Sequence, residues 1–166
     1  MLVAVISDTH LAEPTPSFRR VFKRHIEPAD VVLHCGDITG AVMLRFFEAS
    51  HPAFYAVLGN CDAMTGGMDL PAMYTLELAG FRIGMAHGWG ARSRVGLTVL
   101  EALGPGLDIV CYGHTHRQHW GKIGSTWLLN PGSLDLVREE RPSLALLTLE
   151  PGREPACEQV TVSGKD

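Results

Sequence analysis

The sequence predicts an α/β domain of layered helices and mixed sheets, and three observations support this prediction. Short apolar runs that end in Gly, Asp or Asn recur along the chain. Segments with helical spacing separate the early runs, whereas after about residue 120 the runs follow one another directly. Alternation of strand and helix favours parallel pairing, and consecutive strands favour antiparallel pairing. At 166 residues, we expect one domain over residues 1–166.

Seven apolar runs are predicted to be strands. Continuous apolar runs bounded by turn residues are typical of strands that are buried on both faces. In chain order they are residues 2–6, 31–33, 54–58, 81–86, 109–112, 127–129 and 144–149. A stretch of alternating character before the fourth run adds a hairpin, with its turn at Ala79-Gly80.

Three segments are predicted to be helices. The first follows Pro16, and its apolar residues at helical spacing are Phe18, Val21, Phe22 and Ile26. The other two span residues 41–49 and 93–103, and the second ends at Gly104-Pro105.

Composition excludes several classes of protein. The net charge is −4, which gives no basic surface for a nucleic-acid backbone. The four cysteines form no CxxC pair, which favours a reducing compartment. We find no signal peptide and no stretch that would span a bilayer, and therefore expect a cytoplasmic protein. The Gly-rich segment 65–68 lacks the Lys and the spacing of a P-loop.

Polar residues follow five of the predicted strands at the point where each strand ends. They are Asp8 and His10, Asp37, Asn60, His87, and His114 and His116. Ligands of open α/β sheets bind outside the carboxyl ends of the strands. Oxygen and imidazole donors suit divalent transition metals. Asp8 and His10 are two positions apart, as are His114 and His116. In extended chain, residues two positions apart point to the same side, so each pair could offer two donors to one place.

Each of these residues also has a structural interpretation. Asp37 could cap the following helix, and Asn60 could be an ordinary turn residue. His87 taken alone is better explained as a hydrogen-bonded core histidine. Five strand ends that all carry metal-type donors are hard to explain in this way, and together they favour a metal site.

The ordered motifs resemble the calcineurin-like metallophosphoesterase superfamily, over about residues 3–134. They are D-x-H at 8–10, G-D at 36–37, G-N at 59–60, H-G at 87–88 and G-H-T-H at 113–116. The G-N-C-D at 59–62 and N-P-G-S at 130–133 resemble the family's small bacterial and archaeal phosphodiesterases. The resemblance implies a four-layer α/β/β/α sandwich with two mixed β-sheets.

The resemblance also implies two metal ions, with Asp37 bridging them. One ion would take Asp8, His10, Asp37 and His116, and the other Asp37, Asn60, His87 and His114. Asp37, Asn60 and His87 would also be the catalytic residues. A carboxylate can span two cations, and two ions can hold the hydroxide that attacks phosphorus. We expect Mn²⁺ first, with Zn²⁺, Fe²⁺, Ni²⁺ or Co²⁺ as alternatives.

The chain departs from many relatives at Cys61, where they have a His thought to assist the leaving group. The residue that donates a proton to the leaving group is therefore unassigned. Cys61 itself is interpreted equally well as a packed small residue. Asp62 is interpreted as an exposed loop carboxylate, and His34 as a strand residue near the site. Arg117 is interpreted as solvated surface, and Trp89 as either a pocket wall or core.

The expected function is hydrolysis of a small phosphate diester, of which a cyclic nucleotide is one example. The alternatives are a phosphomonoesterase or nucleotide pyrophosphatase on the same site, and a non-catalytic protein-binding scaffold of the same fold. A nuclease is disfavoured by charge and size. The expected partner is a small phosphate ester, without a stable nucleic-acid partner or a membrane. The resemblance to the family also implies that the chain can form a homo-oligomer, either a dimer or a tetramer.

Overall fold

A computed structural model describes residues 1–65 and 68–163 of the chain. The glycines of segment 65–68, Gly66 and Gly67, lie outside the described residues. The strands are β1 Leu2–Ile6, β2 Val31–His34, β3 Phe54–Ala56, β4 Met73–Leu78, β5 Phe81–Ala86, β6 Ile109–Tyr112, β7 Gln118–Ile123, β8 Thr126–Pro131, β9 Ser143–Thr148 and β10 Ala156–Thr161. The helices are α1 Pro16–Val21, which continues as a π-helical turn over Phe22–Ile26, α2 Ala41–Ser50, α3 Asn60–Thr65 and α4 Val95–Leu103.

The first sheet has five strands in the order β10-β9-β1-β2-β3. β1, β2 and β3 are parallel, and Val3 pairs with Val31. β9 runs antiparallel to both β1 and β10. Parallel neighbours need crossover connections, which α1 and α2 provide. The three parallel strands therefore end at the same edge of the sheet.

The second sheet has five strands in the order β4-β5-β6-β8-β7. β5, β6 and β8 are parallel, whereas β4 and β7 pair antiparallel at the two edges. β4 and β5 form the predicted hairpin, and both turn residues have positive φ, 50° at Ala79 and 83° at Gly80. Positive φ at both central residues is the geometry of a tight two-residue hairpin.

Alternation along the strands builds the layers. Val3 and Val5 of β1 face the second sheet, where they pack in one cluster with Ile83 and Ile109. Ala4, the residue between them, faces the opposite side and packs with the helices. The two sheets therefore pack face to face through an apolar middle layer, as expected for a four-layer sandwich.

The outer faces of both sheets are covered by helices. On the first sheet, Phe18 and Phe47 are fully buried and meet edge to face at 5.7 Å between ring centroids. On the second sheet, Val95 and Val99 of α4 pack against Val110. The order of layers is helix, sheet, sheet, helix, and the predicted α/β class with two mixed sheets is confirmed.

The sequence-based prediction missed one helix and two strands. α3 begins at Asn60, a position interpreted as a turn. β7 and β10 lie at sheet edges, and much of each strand is exposed. A half-exposed edge strand needs no continuous apolar run, so the criterion that found the central strands did not find these.

None of the helices formed by the described residues is long and apolar enough to cross a membrane.

Candidate metal centre

The predicted donors lie on loops at the carboxyl ends of the parallel strands of both sheets. The first sheet supplies Asp8 and His10 after β1, Asp37 after β2 and Asn60 at the start of α3. The second sheet supplies His87 after β5, and His114 and His116 after β6. The structure brings all seven together, because face-to-face packing places the strand ends of both sheets side by side.

Five of these donors have left-handed backbone conformations. The φ angles are 54° at Asp8, 49° at His10, 59° at Asp37, 65° at His114 and 58° at His116. The expectation of extended chain at Asp8 and His10, and at His114 and His116, is therefore wrong. The pairs converge through tight turns instead. Positive φ is costly for residues with a Cβ, and it is concentrated where a fold serves a site.

Asp8 presents one carboxylate oxygen that no hydrogen bond satisfies. Its Oδ2 accepts hydrogen bonds from the Ser7 hydroxyl at 2.6 Å and the His114 backbone N–H at 3.1 Å. Its Oδ1 is buried and accepts none. The His116 Nε2 atom lies 3.2 Å from Oδ1 without hydrogen-bond geometry, and His10 Nε2 lies 3.9 Å away. A buried carboxylate oxygen without a donor is costly unless a cation binds it.

The Asp37 carboxylate is likewise fixed through one oxygen, while the other oxygen lies near two histidines. Its Oδ1 accepts the Cys61 backbone N–H at 2.8 Å, while its Oδ2 lies 3.4 Å from His87 Nε2 and 3.8 Å from His10 Nε2. Burial acts to raise the pKa of Asp37, but the His87 interaction and the Cys61 hydrogen bonds lower it below the usual value. Gly59 makes this approach possible, because a Cβ there would collide with the Asp37 carboxylate.

Asn60 joins two histidines. Its Oδ1 lies 3.0 Å from His87 Nε2 and 3.0 Å from His114 Nδ1. The His87 Nδ1 atom donates to the Cys35 carbonyl at 2.8 Å, which directs Nε2 towards the site. Burial lowers the pKa of His87, but Asp37 and Asp8 raise it above the usual value overall. A cation binds Nε2 only when that nitrogen carries no proton, so the raised pKa makes metal binding at His87 compete with protonation.

Among the residues that the structure describes, three overlapping groups of side chains have the geometry of a cation site. They are Asp8, His10 and His116; Asp8, Asp37 and His87; and His10, Asp37 and Cys61. In each group the ligand atoms all lie within 4.8 Å of one another. Each carboxylate belongs to two groups, so each stands between histidines. With the unsatisfied Asp8 oxygen, this donor set fits divalent transition metals.

Comparison with known proteins decides the family. Residues 1–152 match the model of the calcineurin-like phosphoesterase superfamily domain. The chain belongs to the calcineurin-like phosphoesterase superfamily. The resemblance inferred from the ordered motifs is thereby confirmed.

Three similar proteins illustrate the range of this superfamily. A probable metallophosphoesterase of Methanothermobacter thermautotrophicus is 32% identical, over 90% of this chain and 87% of the relative. A phosphodiesterase of Methanocaldococcus jannaschii is 25% identical, over 90% of this chain and 94% of the relative. Vps29 of Entamoeba histolytica, solved in complex with Zn²⁺, has the same fold with a TM-score of 0.72. It is 24% identical, over 97% of this chain and 99% of that chain.

In this calcineurin-like domain, Glu139 is a site residue that the sequence-based prediction missed. Its Oε1 lies 2.7 Å from His116 Nδ1, and the Nε2 atom of the same ring faces Asp8. The Asp8 and Glu139 carboxylates raise the pKa of His116 to about 9, against the effect of burial. Glu139 lies outside every motif, so the sequence contains no signal that would have identified it.

Asp62 of this calcineurin-like domain is not the exposed loop carboxylate that was expected. It is 1% exposed and accepts backbone N–H groups of Asp37, Thr39 and Gly59 at 2.8, 2.7 and 2.8 Å. Its place in the first turn of α3 brings it under both strand-end loops. The local G-N-C-D sequence looks like a turn, which is why burial was not predicted.

The remaining residues near the site are partly as expected. His34 is the fully buried last residue of β2, as predicted. Arg117 is exposed, also as predicted. Trp89 is 47% exposed and, with Asn60 and His87, lines a cleft of about 210 Å³, so it belongs to the site wall. Burial and Asp37 raise the pKa of the Cys61 thiol to about 11.

Proposed function

We propose that this chain is a metal-dependent phosphodiesterase that acts on a small phosphate diester with two divalent transition-metal ions. The observation that carries the proposal is the convergence of two buried carboxylates with His10, His87 and His116, which Asn60 extends to His114, and the lack of any hydrogen bond to Asp8 Oδ1. The family assignment and the phosphodiesterase relative support the reaction class.

The proposed ligand sets keep Asp37 as the shared residue. Asp8, His10, Asp37 and His116 would hold one ion, and Asp37, Asn60, His87 and His114 the other. The position of Asp37 supports this division, since its Oδ2 lies 3.8 Å from His10 Nε2 of one set and 3.4 Å from His87 Nε2 of the other. When bound, a pair of such ions supplies Lewis acidity towards phosphoryl oxygens and activates water near neutral pH. We propose Mn²⁺ as the preferred ion, with Zn²⁺, Fe²⁺, Ni²⁺ and Co²⁺ as alternatives.

The residues of the chain orient these donors. Cys35 fixes the His87 ring through Nδ1, and Ser7 fixes Oδ2 of Asp8, so that each directs a defined atom into the site. Trp89 supplies an apolar wall beside Asn60 and His87, against which an organic arm of an ester can pack. Because these contacts fix the donors in advance, little of the binding energy is lost in ordering them.

A substitution at Asp37 tests the proposal. Asp37→Asn keeps the shape and removes the charge that would bind both ions. We expect Mn²⁺-dependent hydrolysis of bis(p-nitrophenyl) phosphate to fall at least about 100-fold, because even outer partners of metal ligands are worth about 10–100-fold. His25→Asn, which changes a histidine outside the site, is the matched control and retains full activity. Undiminished hydrolysis by Asp37→Asn would refute the site.

The substrate class has its own test. Initial rates with bis(p-nitrophenyl) phosphate and p-nitrophenyl phosphate are compared at equal enzyme and metal concentrations. We expect the diester to react faster. Faster turnover of the monoester would replace the phosphodiesterase by the phosphomonoesterase alternative on the same site.

A protein-binding scaffold is the second candidate, because the fold is shared with Vps29. The complete set of seven donors at the strand ends favours the enzyme instead. A protein that takes up divalent metal but hydrolyses neither test ester would favour the scaffold. A homo-oligomer, the lack of a nucleic-acid partner and a cytoplasmic location stay predictions.

A further inference from the structure

A second cavity, of about 470 Å³, has in its lining Thr115 and Arg117, the two chain neighbours of His116. Its lining combines three arginines, Arg92, Arg94 and Arg117, with an apolar set that includes Leu97, Tyr112 and Leu128. The arginines are exposed, while Tyr112 and Leu128 are 6% and 2% exposed. The cavity therefore has a buried apolar floor and a cationic rim.

The chain connects this cavity directly to the candidate metal centre. Thr115, which lies between His114 and His116, is part of its lining, and Arg117 follows His116. The loop that carries His114 and His116 therefore also forms one wall of the cavity.

The charges of the cavity are not neutralised by the protein. Among the described residues, none of the guanidinium groups of Arg92, Arg94 and Arg117 forms an ion pair. The chain as a whole has 14 basic and 18 acidic side chains, so three unpaired arginines around one cavity run against the overall charge. Guanidinium groups match the planar, multidentate geometry of phosphate recognition.

Gly96 shapes the space at the start of α4. A Cβ at Gly96 would stand 2.9–3.1 Å from the Tyr112 ring, so α4 approaches β6 closely there. The N-terminal turn of α4 thereby contributes Arg94, Gly96 and Leu97 to the lining. The positive end of a helix adds to the attraction of an anion by the three arginines.

We propose that this cavity binds a second phosphoryl group, carried by one organic arm of the diester substrate. The proposal rests on the proposed function, and it narrows the substrate class to diesters with a further phosphate. The scissile group lies at the metal centre, the arm packs on the apolar floor, and the second phosphate contacts the arginines.

A pair of substrates that differ in one phosphate tests the proposal by kinetics. They are the p-nitrophenyl ester of thymidine 5′-phosphate and the same ester with a 3′-phosphate. In both, water forms a new P–O bond and releases a proton to the solvent, and p-nitrophenolate leaves with the electron pair of the broken P–O bond. We expect kcat/KM to be about tenfold or more higher for the 3′-phosphorylated ester, mainly through a lower KM, because hydrogen bonds to charged groups are strong. Equal values for both esters would overturn the proposal.

Substitutions locate that preference. In Arg94→Gln/Arg117→Gln we expect the ratio of the two kcat/KM values to fall towards one. Arg45→Gln, which removes an exposed arginine from α2 on the opposite outer layer, is the matched control and keeps the parent ratio. A double variant with the parent ratio would assign the preference elsewhere and overturn the proposal.

Binding to the metal-free protein separates this proposal from the proposed function. In excess chelator, calorimetry measures the affinity of thymidine 3′,5′-bisphosphate for three proteins: the parent protein, Arg94→Gln/Arg117→Gln and Arg45→Gln. We expect about tenfold weaker binding only in the double variant. Arginine-dependent binding by a protein without esterase activity would support the cavity and refute only the proposed function. Equal affinity of the double variant and the parent protein would refute the proposal that the cavity is a phosphate site.

Discussion

The His116 ring lies between two carboxylates. Nδ1 faces Glu139 at 2.7 Å, and Nε2 faces Asp8 at 3.2 Å. A carboxylate at the outer nitrogen of a ligating histidine fixes the ring and increases its basicity. Glu139 is therefore expected to act on the metal centre through His116, without being a ligand.

Replacing Glu139 by Gln tests this role. We expect the affinity for Mn²⁺ to fall about 10–100-fold, because the side chain keeps its size but no longer supports the ring with a charge. Affinity is measured by competition with a chromogenic chelator, together with the midpoint of thermal unfolding in chelator. Glu140→Gln makes the same change at the adjacent exposed position and should have parent affinity. Unchanged affinity in Glu139→Gln would show that the contact is not used.

His34 predicts a dependence of stability on pH. It is fully buried between the Gly36 N–H and the Thr9 hydroxyl, and burial lowers its pKa from 6.5 to about 3. Between these values the unfolded chain binds a proton that the folded chain does not. The free energy of unfolding therefore falls as the pH drops from about 6.5 to 3, by up to about 1.4 kcal/mol per pH unit from this residue.

Urea unfolding of the metal-free protein measures this effect. We expect His34→Asn, which keeps an acceptor for the Gly36 N–H, to show a shallower loss of stability over that range. His25→Asn is the control and should retain the parent slope. Parallel curves for the parent and His34→Asn would mean that His34 does not titrate as described.

The sequence was informative about single residues where a polar side chain directly follows an apolar run. Asp37 and His87 were found because a polar residue at the end of an apolar run is conspicuous. Glu139 and Asp62 act through contacts that depend on tertiary packing, and nothing local distinguishes them from solvated carboxylates. The left-handed backbone at Asp8 was equally hidden, because residues of this type favour it only weakly.

At the scale of elements, α3 joins the ends of β2 and β3. Its Asp62 side chain accepts backbone N–H groups from the loop that carries Asp37 and from Gly59. Through this one carboxylate, a short helix fixes the position of Asp37 relative to Asn60. Central strands and long helices were predicted well because their apolar patterns are continuous, whereas α3 depends on tertiary contacts.

Removal of the Asp62 carboxylate should destabilise both loops. In Asp62→Ala, three buried or half-buried N–H groups lose their acceptor, and we expect a loss of about 3 kcal/mol in the free energy of unfolding, since each unsatisfied donor costs about 1–3 kcal/mol. Chemical denaturation in chelator measures it. Asp69→Ala, at an exposed position, should change stability little. A loss below about 1 kcal/mol in Asp62→Ala would contradict this account.

At the scale of the whole molecule, the candidate metal centre connects the two sheets. Asp8 and Asp37 come from the first sheet, and His87 and His116 from the second. The middle apolar layer joins the same two sheets elsewhere. Residue patterns alone predicted layers and mixed sheets, but the packing of two sheets face to face came from the family resemblance, because periodicity carries no information about which sheet a strand joins.

Metal binding should therefore stabilise the entire fold. At a Mn²⁺ concentration 100 times the dissociation constant, one site adds about 2.7 kcal/mol. For a chain of this size that raises the midpoint of thermal unfolding by about 5–10 °C. Calorimetry with Mn²⁺ and with chelator measures the shift, which Asp37→Asn should reduce and His25→Asn should retain. If Mn²⁺ does not change the midpoint of thermal unfolding of the parent protein, a metal site formed by both sheets is contradicted.

The apolar layers and the polar strand ends occupy separate parts of the molecule. Val3, Leu33, Ile109 and Leu129 lie in the middle layer, and none of them contributes a donor to the centre. Loss of a single donor should therefore lower the stability that metal binding adds while the apolar layers stay packed. Substitutions at the donors are therefore expected to alter metal binding, and substitutions in the middle layer to alter the packing of the two sheets.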